Sequence, residues 1–366
     1  MASIGHPSPA NAASGLSSRL PASSGPTSEA ALDDLLSTPP REVVEALADL
    51  PGDVVILGVG GKMGPTLARM ARRAADEADG SPRGRRVIGV SRFSTPGLPA
   101  ALREHGIETH SADLLESTAV TGLPEAPNVI FMVGRKFGST GGEALTWAIN
   151  AYAPALVAQR YRASRLAVFS SGNVYPLVPV ASGGATEVTP PAPVGEYAQS
   201  VLGRERVFEH FSLQHGTPVV SLRLNYAIDL RYGVLLDVAE KVAAGEPVDV
   251  TMGHANVIWQ GDANAVALRS LGVATSPPLA LNLTGPETVS IRWLAERFGE
   301  VLGEAPYVIG MEAETALLSN AARCFQLFSY PMVSLGQMVA QVAQWVRQGS
   351  PTLDKPTHFQ EREGRF

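Results

Sequence analysis

Residues 54 to 64, VVILGVGGKMG, run an apolar strand directly into a glycine-rich turn, and few chain geometries satisfy that pattern. The strand must reverse tightly, the backbone must lie open to an approaching group, and the next element must pack close to the sheet. Pro65 to Glu77 supplies that element, because it is rich in good helix formers and carries its apolar residues on one face. The first amides and the dipole of such a helix attract an anion. Gly58, Gly60, Gly61, Lys62, Met63 and Gly64 are therefore expected to seat the pyrophosphate of a dinucleotide.

From Asp53 onward short β-rich runs alternate with helical patterns, which predicts an α/β fold: a Rossmann-type, doubly wound parallel sheet with a smaller C-terminal substrate lobe. Strands are expected at 54–59, 86–91, 108–112, 128–133, 165–170, 218–224 and 279–283. Most are near-continuous apolar runs, as strands covered on both faces must be. Helices are expected at 65–77, 143–162, 197–215, 261–271, 290–302 and 333–348, with Pro154 kinking or dividing the second. Residues 176–195 hold too much Pro and Gly for regular structure and read as a long loop beside the site. The expected division is a disordered tail over 1–40, a cofactor-binding domain over 50–225, a mixed lobe over 226–350 and a C-terminal tail over 351–366. That last polar segment either frays or docks over the site or a partner subunit.

Composition narrows the partners. With 366 residues and 45% hydrophobic content the chain has ample material for a core. The single cysteine, Cys324, excludes an internal disulfide and fits a reducing, cytoplasmic compartment. A net charge of −6 without a long basic block argues against nucleic acid. No apolar run approaches the ~20 residues of a membrane span, so no membrane partner is expected. The seven histidines are scattered, and no metal is expected. The first 28 residues are acid-poor and rich in Ser, Ala, Pro and Gly; they read as disordered, a transit peptide being disfavoured by their single arginine.

Further along, Asp113-Leu114 follows the third strand, FSSGNVY ends the fifth, Tyr197 opens a helix, and LRLNY, NVIWQGDAN and LNLTGPE come after it in that order. With the glycine turn, these segments resemble the extended short-chain dehydrogenase/reductases, also called NAD-dependent epimerase/dehydratases, over Val54 to about Gln348. The resemblance implies that Gly58, Gly61 and Gly64 form the pyrophosphate turn and that Asp113 and Leu114 border the adenine. Val133, Gly134 and Arg135 would line the cofactor. It implies Ser171 as the catalytic hydroxyl, Asn150 as the helical asparagine and Tyr197 as the base. It further implies hydride transfer on a sugar, sugar acid or nucleotide sugar, and a homodimer paired through the helices around 144–162 and 197–215.

Oxidising a carbinol needs a base for the hydroxyl proton and a donor that steadies the developing oxyanion. A free tyrosine keeps its proton to about pH 10, so a nearby cation must help. The family's lysine stands four residues after the tyrosine, but here the sequence is Tyr197-Ala-Gln-Ser-Val201. Arg135, Lys136 and Arg204 are the candidate replacements, with Lys136 preferred. At the end of the second strand Ser91 and Arg92 stand where NAD sites present an acid, which favours NADP over NAD. By position, Asn173, Arg223, Asn225, Arg231, His254 and Trp259 would face the substrate, although Trp147, Trp259, Trp293 and Trp345 also fit a core. A second reading, prompted by the missing lysine, is a catalytically degenerate NADP sensor or scaffold of the same fold.

Overall fold

The structure is a computed structural model that describes residues 25–82 and 84–366. Seven parallel strands form one sheet: β1 (Val54–Leu57), β2 (Val87–Ser91), β3 (Glu108–Ser111), β4 (Asn128–Phe131), β5 (Arg165–Ser171), β6 (Val219–Leu224) and β7 (Leu279–Leu283). Their order across the sheet is β7-β6-β5-β4-β1-β2-β3, so the winding reverses between β1 and β4. A crevice opens at such a reversal, beyond the carboxyl ends of the strands. Strands β1, β3 and β4 stop one or two residues before the expected ends, where the chain turns into the loops of that crevice.

Alternation along the strands explains why the runs are apolar throughout. Val54 and Ile56 face one core with Ile130 and Ala167, while Val55 and Leu57 face the other with Val129, Phe131, Leu166 and Val168. The first face is covered by α2 (Arg41–Ala48), α3 (Gly64–Ala78) and a later helix over Gln260–Ser270; the second by helices that begin at Glu143.

Before β1 lies α1 (Glu29–Leu36), capped by the Ser28 hydroxyl on the Ala31 amide at 3.2 Å. The tail expected over 1–40 is thus helical at 29–36, with Leu32 and Leu36 fully buried. Residues 1–24 lie outside the described residues. The expected helix at 143–162 is divided into α4 (Glu143–Trp147), a π turn at Ala148–Tyr152 and α5 (Ala153–Arg160). Pro154 is the cause, since it has no N–H to give the carbonyl of Asn150 one turn back. That carbonyl instead faces Arg204 Nε at 3.4 Å.

Helix α6 (Gly195–His215) carries Tyr197 in its first turn. The lobe adds α7 (Val234–Ala243), α9 (Ile291–Leu302) and α11 (Leu335–Arg347), the last opened by a reciprocal Ser334–Gln337 capping box, while α8 (Gln260–Ser270) and α10 (Ala322–Phe328) pack into the core of the sheet's first face. The lobe's own core joins Leu32 and Leu36 of α1, Val238 of α7, Leu294 and Phe298 of α9, Trp345 and Phe359. Within 176–195 a short strand at Val178–Pro179 pairs antiparallel with Thr315–Ala316 and ties the expected loop to the lobe. Trp259 and Trp345 are core residues, whereas Trp147 and Trp293 are 38% and 44% exposed. No helix among the described residues is long and apolar enough to cross a membrane.

Candidate active site

The glycine turn closes on itself, Gly61 N–H donating to Gly58 O at 3.0 Å and Gly64 N–H to Gly61 O at 3.2 Å. A Cβ at Gly64 would lie 2.3 Å from Val59 O, so only glycine lets α3 pack this close to the strand. Above the turn a cavity of ≈ 220 Å³ is lined by Gly58, Gly60, Gly61, Ser91, Arg92, Asp113, Leu114, Val133 and Gly134. These are the expected cofactor residues from four strand ends, gathered at the sheet's reversal. A Cβ at Gly60 would come within 2.5 Å of Ser91 Oγ, so the floor has to be bare backbone. Bare amides at a helix start, an apolar slot at Leu114 and Val133, and Arg92 beside Asp113 at 3.8 Å suit a dinucleotide's pyrophosphate, adenine and ribose. Met63 is buried beneath the turn. Lys62 leaves it, its Nζ donating to Ala227 O at 2.8 Å and lying 4.0 Å from the Tyr232 ring centre. Its side chain therefore reaches the lobe rather than the cavity.

Asn150, in the π turn, is a buried hub. Its Oδ1 accepts from Arg135 N–H and Arg204 Nη2, both at 2.9 Å, and its Nδ2 donates to Arg135 O and Ser200 Oγ. It holds the loop after β4 against α6 and presents no free atom from that amide. Arg204, a candidate replacement cation, is committed below the site: Nη1 donates to Phe169 O at 2.7 Å, and burial lowers its pKa to about 10. Arg135 turns back to Gly138 O.

Lys136 is the candidate that reaches the crevice. Its Nζ donates to Thr357 O and lies 4.2 Å from the ring centre of Phe366, which stands edge-on to the Tyr197 ring at 5.6 Å. Tyr197 packs on the cluster of Val174, Tyr175, Ala185 and Val201, and Val201, four residues further along α6, is fully buried. Ser171, at the end of β5, accepts from Asn173 N–H and Asn173 Nδ2 at 3.2 and 3.0 Å.

The proposed substrate residues divide. Arg223 is buried in a bidentate pair with Glu205 (Nη2–Oε2 2.7 Å, Nε–Oε1 3.0 Å) and also donates to Tyr175 Oη at 2.6 Å. Arg231 pairs with Asp33 at 2.8 Å and Asp229 at 3.3 Å. Trp259 is in the lobe core. None of the three lines the dinucleotide cavity: Arg223 is held by Glu205, Arg231 by Asp33 and Asp229, and Trp259 by the lobe core. Asn225 donates to Leu317 O and packs beside Gly172. Tyr226, Asp237 and Phe366, which lie outside the expected set, gather with Tyr232 around Lys62, Lys136 and Tyr197. Burial raises the pKa of both tyrosines and of Asp237. The signal for Tyr226 and Tyr232 was their placement in the segment after β6.

A family model described as "NAD dependent epimerase/dehydratase family" matches residues 54–254. The chain belongs to that family. As an epimerase/dehydratase it is a nicotinamide-dependent enzyme of the short-chain dehydrogenase type. No curated protein matches the chain. Solved structures share the fold. A UDP-glucose 4-epimerase of Thermus thermophilus, in complex with NAD, superposes with a TM-score of 0.63 at 20% identity, over 81% of this chain and 99% of that one. A UDP-glucuronic acid 4-epimerase of Bacillus cereus with NAD gives 0.66 at 15% identity, over 81% and 96%. MoeE5 in complex with UDP-glucose and NAD gives 0.63 at 18%, over 81% and 99%.

Proposed function

We propose that this epimerase/dehydratase acts at a carbinol carbon of a carbohydrate-like substrate that carries an anionic group, such as a nucleotide sugar or a sugar acid. The observation that carries this reading is a pair of desolvated lysines, Lys136 beside the Phe366 and Tyr197 rings and Lys62 over the Tyr232 ring. Burial lowers Lys62 and Lys136 from the ordinary 10.5 to about 8, so both remain largely protonated at neutral pH and attract phosphate or carboxylate. The UDP-sugars named with the structural neighbours are substrates of this kind.

Tyr197 is the base that takes the hydroxyl proton, and Ser171 donates to the same oxygen as charge develops on it. When bound, the nicotinamide supplies the hydride acceptor. Lys136 replaces the lysine lost at Val201, steadying the tyrosinate from across the Phe366 ring. Asn150 and Arg204 fix the loop and helix that carry Lys136 and Tyr197, and are positioning residues. Asn173, on Ser171, and Asn225, under Gly172, complete the substrate-side floor.

For the cofactor we favour NADP, because Ser91 and Arg92 replace the acid that would repel a 2′-phosphate. A homodimer is the expected assembly: Leu145, Trp147 and Tyr152 are 44%, 38% and 51% exposed along α4 to α5, the face such dimers pair. A cytoplasmic setting agrees with the single thiol, Cys324, which burial pushes up to about 12. The sensor reading is weaker, since Ser171, Asn150 and Tyr197 are kept together.

The test is fluorescence titration with NADPH and NADH, then incubation of the complex with nucleotide sugars and sugar acids, with products read by NMR. Conversion of at least one anionic sugar is expected, and Tyr197→Phe should bind cofactor normally while losing about 100-fold or more in turnover. Full activity in Tyr197→Phe would end the assignment of the base.

A further inference from the structure

Residues 351–366 cross the molecule in two halves of different character. The first half is built into the lobe. Leu353 N–H donates to Arg231 O, Thr357 donates from both N and Oγ1 to Asp237 Oδ2, and Phe359 is 2% exposed within the lobe core. A turn that begins at His358 (φ +53°) and closes with Glu361 N–H donating to His358 O at 3.0 Å leads the chain out of that core after Phe359. The second half, 361–366, has no buried side chain and lies over the crevice instead.

That second half is fastened on both sides. Toward the lobe, Arg362 donates to Thr315 O at 2.7 Å and Thr315 Oγ1 at 2.8 Å. Toward the cofactor domain, Phe366 O accepts from Ser139 Oγ and Thr140 N–H, both at 3.1 Å. In the middle, Gly364 lies on the backbone at the start of α6. A Cβ on Gly364 would fall 2.2 Å from Val194 O, and one on Gly195 would fall 2.3 Å from Gly364 O. Both glycines have positive φ, +75° and +81°, so the approach requires glycine on each side. The Phe366 ring then rests on Tyr197 and under Lys136.

We propose that residues 361–366 are a clasp that gates the reaction site: closed, it covers Tyr197 and Lys136 and joins the two domains; open, it admits substrate. The inference rests on Tyr197 marking the reaction centre. A handful of half-exposed hydrogen bonds and one partly buried ring hold this segment, which puts its opening at the low end of local stabilities while the anchor at Thr357 and Phe359 stays in place. Opening frees the Lys136 face from the aromatic ring and the crevice mouth from Gly364. Closure removes water from around the tyrosine and the lysine, where charge interactions then strengthen.

The experiment compares the full chain with a chain ended after Gln360 and with Gly364→Val, which keeps every other residue but cannot seat against Val194. Each is treated with tetranitromethane, and nitration of Tyr197 is read by peptide mass spectrometry, with exposed Tyr330 and buried Tyr161 as internal references. Nitration of Tyr197 at least about threefold faster in both variants, relative to Tyr330, is expected for a gate that is mostly closed. Equal rates in Gly364→Val and the full chain would overturn the clasp, and a rise at Tyr161 would mark a misfolded variant, leaving the other to decide. With NADH bound, acrylamide should quench the nicotinamide more strongly in the variants. Failure of both NADPH and NADH to bind any form would remove the functional reading but not the nitration comparison.

Discussion

Lys136 Nζ donates to the backbone carbonyl of Thr357 at 3.2 Å and makes no salt bridge among the described residues. A carbonyl dipole and aromatic faces do not offset the loss of water, so burial lowers its pKa to about 8, with Asp237 opposing. The folded value lies below the unfolded one. Between about pH 8 and 10.5 the unfolded chain therefore binds more protons, and stability rises with pH across that window. Lys62 adds a rise in the same window. Lys136→Met should flatten part of this rise in urea denaturation and remove an alkaline limb near pH 8 from the rate profile. A limb unchanged in the variant would return Lys136 to a structural role.

Arg223 and Glu205 form a buried bidentate pair, so truncating one partner strands the other's charge. Arg223→Ala should destabilise by about 3–5 kcal/mol, and adding Glu205→Leu should recover part of that loss. Denaturant midpoints of the single and double variants decide this. If Arg223→Ala left stability intact and raised only the KM for substrate, the arginine would belong to the pocket after all.

Arg92 is exposed on the rim of the dinucleotide cavity, 3.8 Å from Asp113. Removing it should weaken NADPH by about tenfold or more with little change for NADH, since a charge-assisted contact to phosphate is worth ~1.5–3 kcal/mol. Parallel titrations of Arg92→Ala measure the ratio, and equal losses would reverse the cofactor preference.

Arg231 ties α1 to the lobe through Asp33 and Asp229, with Glu29 at 3.7 Å. Arg231→Ala should lower the melting temperature and speed proteolysis within 29–36, with cofactor affinity kept. Loss of activity without loss of stability would contradict this.

The sheet was legible because buried parallel strands are written as unbroken apolar runs, and the turn because glycine alone tolerates contacts such as Gly64 on Val59 O. The division of the helix at Asn150 was legible from Pro154. The carboxylate partners of Arg223 and Arg231 were not legible, because position after a strand says which end of the sheet a side chain occupies, not which carboxylate it pairs with. Glu205 comes from the helix before β6. Asp33 comes from a stretch whose sequence neighbours look like a tail, although Leu32 and Leu36 repeat at helical spacing beside it. Docking of the last segment over the site was one of two readings, but the particular contact of Phe366 was hidden because no periodicity marks a segment held by backbone contacts at Gly195 and Gly364.

Leu32 and Phe359 sit in one hydrophobic cluster although almost the whole described chain separates them. During synthesis, then, the two leucines of α1 emerge long before the phenylalanine that covers their core. Until residue 359 is available the lobe is an open cup with apolar walls, so the nascent protein has a long interval in which holdase chaperones or aggregation compete for it. Mutations far from the crevice, at Leu36 or Phe359, would be felt first as low yield of soluble protein.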